Sequence, residues 1–91
     1  MAKIIENEKG FKVIEASRAD MRNVYGQLPV CDRCGHSANN GFLVSVLNQW
    51  FCATCYGNWM QHAMKYKHDN PYEDKKFEEH KRLFGLSDKN Q

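Results

Sequence analysis

Apolar and polar positions along the chain follow two different rhythms, and the changes between them mark the elements. Ile4-Ile5 and Phe11-Lys12-Val13-Ile14 are short apolar runs either side of Asn7-Glu8-Lys9-Gly10. That pattern predicts a β-hairpin with Gly10 in its turn. Phe11 and Val13 then share one face and Lys12 takes the other, so the hairpin is expected to cover its neighbours rather than offer an edge to a partner. Ser17-Arg18-Ala19-Asp20 opens a short helix, with Ser17 as N-cap and Asp20 at N3. Met21, Val24 and Tyr25 lie at helical spacing, and Gly26 stops the helix. A second apolar run, Phe42 to Leu47, is followed by Asn48-Gln49 and then Trp50-Phe51, which predicts another hairpin. Gln is a poor second turn residue, so a longer loop that includes Leu47 is the alternative.

Beyond residue 52 the period becomes helical. Tyr56, Trp59, Met60, Ala63 and Met64 fall on one face, with Asn58, Gln61, His62 and Lys65 opposite. This helix is expected to run to Lys67 or His68, where Asp69-Asn70-Pro71 breaks it. Asn70 reads as the N-cap of a last helix, with Pro71 at N1 and Glu73 closing a capping box. Tyr72, Phe77, His80, Leu83 and Phe84 form its irregular apolar face, Gly85 ends it, and the tail from Leu86 to Gln91 is expected to fray.

The chemistry concentrates where the second hairpin meets its helix. The chain has four cysteines, in the pairs Cys31-x-x-Cys34 and Cys52-x-x-Cys55, with 17 residues between the pairs. That spacing fits a four-thiolate zinc site better than two disulfides or four unrelated buried thiols. Gly35 suits the tight turn that lets Cys31 and Cys34 reach one ion. Cys52 and Cys55 would sit at a helix N-terminus, whose unpaired N–H groups stabilise thiolates. His36 is the one nearby substitute ligand, and four thiolates leave it no place in a closed structural site.

Knuckle, hairpin and a helix whose first turn supplies two ligands, in that order, resemble the treble-clef zinc finger, as in the metal cores of GATA-type fingers, LIM-domain halves and ribosomal-protein fingers. The resemblance covers residues 29–68. It implies one structural Zn²⁺ held by Cys31, Cys34, Cys52 and Cys55, and it leaves function open because the fold serves many. The Cys31–Trp59 segment also resembles the short Cys₄ proteins of bacterial phages and mobile elements.

The expected architecture is therefore a small α+β domain spanning 1–91. A treble-clef core over 29–68 is wrapped by a hairpin and short helix over 1–28 and by a C-terminal helix and tail over 69–91. A chain this short buries a limited core, which a metal supplements. No apolar leader pattern follows Met1, and no run approaches the roughly 20 apolar residues of a membrane span. With thiols set up for metal, a reducing cytoplasm is the expected location.

Thirteen basic and eleven acidic residues give a net charge of +2. Four thiolates and one dication bring it to near zero, which weakens an argument from charge for nucleic-acid binding. Catalytic readings fit poorly. Asn58 and His62 resemble part of the ββα-metal nuclease motif, but Phe42–Leu47 carries no histidine base. Zinc deaminase chemistry needs a glutamate beside the ligands and an open position on the metal. Thioredoxin-like redox chemistry needs a βαβ context.

The expected role is therefore a non-enzymatic adaptor or regulator that contacts another protein, which could be a second copy of the chain. Leu43, Trp50, Phe51 and Arg33 are the candidate partner-binding residues, because large aromatics and arginine dominate interface energetics. The alternative is a nucleic-acid-binding finger that uses Arg18, Arg22, Arg33, Lys65, Lys67 and His68. Salt dependence separates the two readings.

Overall fold

In a computed structural model, described over residues 2–86, the two predicted hairpins form a single sheet. Its strands are β1 (Lys3–Ile5), β2 (Val13–Ser17), β3 (Asn40–Val44) and β4 (Gln49–Cys52). All neighbours are antiparallel, in the order β1-β2-β3-β4. The N-terminal hairpin thus extends the second hairpin edge to edge instead of lying over it. Val13 pairs with Ile5 on one side and Val44 on the other, and Ile14 pairs with Ile4 and Leu43. Val13 and Ile14 point to opposite faces, and both are fully buried. A strand buried on both faces needs a layer on each side of the sheet.

The helices supply those layers. Ile14, Ala16, Leu43 and Trp50 face α1 (Arg18–Tyr25) and α3 (Asn70–Phe84) and pack with Met21 and Phe77. Val44 and Phe51 face α2 (Ala53–His62) and pack with Cys31, Cys55, Tyr56 and Trp59. The apolar run after Phe42 therefore has both faces covered, one by the helix that follows the cysteines and the other by the first and last helices.

The start of α1 follows its local signals. Ser17 Oγ accepts from the Asp20 N–H and Asp20 Oδ2 accepts from the Ser17 N–H, each at 3.0 Å. Aspartate here closes a capping box usually made by glutamate or glutamine. Gly26 ends the helix at φ 80°, a left-handed conformation that favours glycine.

Two helix boundaries depart from expectation for tertiary reasons. The helix expected to reach Lys67 or His68 stops at His62, and Ala63 is extended. Lys9 Nζ donates to the Ala63 carbonyl at 2.6 Å, while Lys65 Nζ reaches Glu73 Oε1 at 2.5 Å and Asn70 Oδ1 at 2.7 Å. These distant partners hold 63–65 in place, and a short 3-10 turn, Lys67–Asp69, leads into α3. Asn70 lies inside α3 rather than capping it, and Asp69 at the N-cap makes no side-chain cap bond. Glu73 does not close a capping box. It is fully buried and accepts from the Lys12 N–H at 2.9 Å as well as from Lys65.

The buried stripe of α3 is Glu73, Phe77, His80 and Lys81, whereas Tyr72 and Leu83 stand about half exposed. Leu86 packs on the core beside Phe84, and its N–H donates to the Lys81 carbonyl. The rest of the tail expected to fray, 87–91, lies outside the described residues.

The β3–β4 loop is the longer alternative, Ser45 to Asn48, and Gln49 belongs to β4. Asn48 takes the positive φ of 54°. His80 fastens this loop to α3. Its Nε2–H donates to Asn48 Oδ1 at 3.0 Å, and its Nδ1 accepts from the buried Ser45 hydroxyl at 3.2 Å. This arrangement uses the neutral imidazole. Burial lowers the His80 pKa, with Glu79 opposing and Lys76 adding to the shift.

A histidine whose folded pKa lies below its unfolded value of about 6.5 binds more protons when unfolded. Its contribution to stability is complete above about pH 6.5 and declines as pH falls toward the folded pKa. Unfolding free energies from urea titrations with zinc in excess are therefore expected to fall more steeply below pH 6.5 for the wild type than for His80→Gln, by up to about 1 kcal/mol per pH unit. Equal slopes would show that His80 does not couple to folding.

Candidate metal centre

The two cysteine pairs arrive from separate elements and are tied together by Asp32. Cys31 begins a tight turn in which the Gly35 N–H donates to the Cys31 carbonyl at 2.8 Å and the Cys31 N–H to the His36 carbonyl at 2.9 Å. Gly35 takes φ 77°. Asp32 grips β4 twice: its N–H donates to the Trp50 carbonyl at 2.9 Å, and its Oδ2 accepts from the Trp50 N–H at 2.8 Å. The turn therefore runs along the outer edge of β4, two residues from Cys52. Cys52 ends β4 and stands at the N-cap of α2, and Cys55 lies in the first turn of that helix.

The four sulfur atoms converge to within 4.8 Å of one another. Sulfurs on a tetrahedron at about 2.3 Å from a central ion lie roughly 3.8 Å apart. Cys34 Sγ and Cys52 Sγ are 3.9 Å apart, and all four cysteines are free thiols. The donor set is thus sized for a tetrahedral ion and far too open for an S–S bond. Cys31 and Cys55 form the buried side of the cluster, Cys52 is part-exposed and Cys34 exposed. Among the described residues this is the one cluster of metal-capable side chains, and His36 is not in it.

The cluster's electrostatics are those of a site that calls for a cation. At Cys31, burial favours the thiol, but hydrogen bonds from the backbone of Cys34, Cys52 and Arg33 outweigh it and bring the pKa to about 6. At Cys55, burial, the three other sulfurs and the Cys31 charge push the pKa up to about 12. Packed this closely, one sulfur ionises readily and another resists. A divalent ion reverses that resistance, because a coordinated thiol is deprotonated outright.

The residues expected to bind a partner fall differently. Leu43, Trp50 and Phe51 are 3%, 2% and 3% exposed. All three, expected as partner-binding residues, have their apolar area covered within the chain, by α1 and α3 or by α2 and the cysteines. Arg33 is exposed, and its Nη1 lies 3.5 Å from the Cys55 carbonyl. Asn58 and His62 lie exposed on α2.

Asp32 is the residue that sequence reasoning missed. It lies between two cysteines, and its partner Trp50 is 18 positions away, so no local spacing points to it.

No protein-family model matches the chain, and neither a curated protein nor a solved structure matches it. No described helix is long and apolar enough to cross a membrane.

Proposed function

We propose that Cys31, Cys34, Cys52 and Cys55 hold one structural Zn²⁺ in a treble-clef arrangement, and that the resulting non-catalytic domain is a cytoplasmic adaptor or regulator that contacts another protein. The convergence of the four sulfurs carries the reading. A cysteine turn, a hairpin and a helix that begins at the second pair follow in treble-clef order. Four thiolates close the coordination sphere and leave no position for a reacting water. Free thiols in a metal-sized cluster favour a reducing compartment.

The adaptor role is supported by the exposed apolar side chains Tyr25, Leu28 and Val30, which lie close together in the chain. The resemblance of the Cys31–Trp59 segment to phage and mobile-element zinc proteins favours a host protein as the partner.

Native mass spectrometry is expected to find one zinc per chain. Affinity capture with the zinc-loaded protein is expected to retain a protein through high salt and nuclease treatment. Capture of nucleic acid that is lost as salt rises would replace the adaptor with a nucleic-acid-binding finger.

A further inference from the structure

The start of α1 breaks a local rule. Arg18 is the first residue of the helix, where the positive end of the dipole disfavours a cation. Its Nε is buried and has no hydrogen-bond partner. Buried polar atoms left this way are rare and call for a partner. Arg22 lies one turn further along the same face, and among the described residues no carboxylate pairs with either arginine. Both arginines line a cavity of about 330 Å³ with Asn23, Asn39 and Leu28.

Leu28 also lines a second cavity of about 290 Å³, floored by Met21 and Trp50 and flanked by Tyr25 and Val30. Leu28, Val30 and Tyr25 are 53%, 51% and 46% exposed. The groove's own carboxylate, Asp32, has Oδ2 engaged by the Trp50 N–H. A cationic pocket and an apolar groove thus meet at one exposed leucine.

We propose that these two cavities form one docking surface for a short acidic-hydrophobic segment of the partner protein. An aspartate or glutamate carboxylate sits between Arg18 and Arg22, and a leucine-like side chain of the same segment fills the groove beside Leu28. The assignment rests on the adaptor reading and names the partner's chemistry. Arginine pairs planar carboxylates through two parallel hydrogen bonds, which suits a charge held at a fixed point. Two arginines beside an apolar groove suit an acidic peptide better than a phosphate backbone, which requires a track of cations. Cavities at this small end of the range of ligand pockets have room for one or two side chains each.

Selection of a displayed random 12-residue peptide library on the zinc-loaded protein tests the surface. Enriched peptides are expected to place Asp or Glu within a few positions of Leu, Ile or Phe. Affinity of a synthetic winner is expected to fall about ten- to hundred-fold in the double variant Arg18→Gln/Arg22→Gln, and about ten-fold in Leu28→Ser. Circular dichroism and zinc content confirm folding of each variant, and Leu28 is exposed enough to change without disturbing the core. Winners without acidic residues, or winners that bind every variant equally, would overturn this surface while leaving the adaptor reading in place. No enriched peptide, with no protein captured from cells, would overturn both.

Discussion

Stripping the proposed zinc with a strong chelator is expected to unfold the domain rather than merely empty a site. Structural zinc contributes roughly 10–16 kcal/mol of binding free energy in small zinc-finger peptides. Whole domains are stable by only about 5–15 kcal/mol. A metal contribution of that size matches the whole net stability of a domain, and the packing indicates where its loss would be felt. Cys31 and Cys55 are core residues, in one cluster with Val44, Phe51 and Trp59. Without the ion, four sulfurs within 4.8 Å of one another repel or bury unpaired thiols at the centre of that cluster. The damage also spreads beyond α2, because β3 pairs with β2 through five residues and carries the strain into the N-terminal hairpin.

Near-ultraviolet circular dichroism from Trp50 and Trp59 is expected to vanish together with the helical far-ultraviolet signal, and added zinc is expected to restore both. Cys31→Ser and Cys55→Ser should reproduce the unfolded state. Cys34→Ser, at the exposed corner, should keep three thiolates and bind zinc more weakly while remaining folded with metal in excess. A stripped protein that keeps its tryptophan signal and its urea midpoint would refute the structural role of the site.

The cysteine cluster was legible in the sequence because its information is local. Two C-x-x-C pairs, a glycine after the first, and a helical period after the second are each contained within a few residues. The cap at Ser17 and the stop at Gly26 were legible for the same reason. What escaped is what depends on partners far along the chain. The union of the hairpins rests on β2–β3 pairs such as Ile14 with Leu43, 29 residues apart, for which alternation along either strand carries no signal.

The early end of α2 depends on Lys9 and Glu73, which have no helical relationship to residues 63–65. Glu73 sits where a capping box predicts it, yet a fully buried carboxylate that bridges Lys12 and Lys65 does a different job. Leu43, Trp50 and Phe51 show a further ambiguity. Large apolar area reads the same in sequence whether it ends in a core or at an interface, and here both faces of the sheet had a helix to receive it.

Trp50 is the residue through which the sheet and the cysteine cluster depend on each other, and its replacement is expected to have the second-largest effect. Its indole lies in the α1–α3 core at 2% exposure, and Nε1–H donates to the Ala16 carbonyl on β2 at 3.1 Å. Its backbone N–H and carbonyl hold Asp32 of the cysteine turn. Trp50→Ala is expected to destabilise the zinc-loaded protein by about 3–5 kcal/mol from the cavity alone. Loss of the Ala16 hydrogen bond adds about 1 kcal/mol. Trp50→Phe should recover most of the packing term and none of the hydrogen bond.

The indole also explains Gly41. A Cβ built there would lie 2.6 Å from Trp50 Cζ2 and 2.7 Å from the Phe51 carbonyl oxygen. Gly41→Ala should therefore cost about 1–3 kcal/mol through overpacking. In the Trp50→Ala background the side-chain clash is gone and only the backbone contact remains, so the glycine substitution should cost visibly less. Urea unfolding of the four proteins in this cycle measures the difference. Costs that add to within about 0.5 kcal/mol would mean that the two sites are independent and that glycine is required at position 41 for its backbone alone.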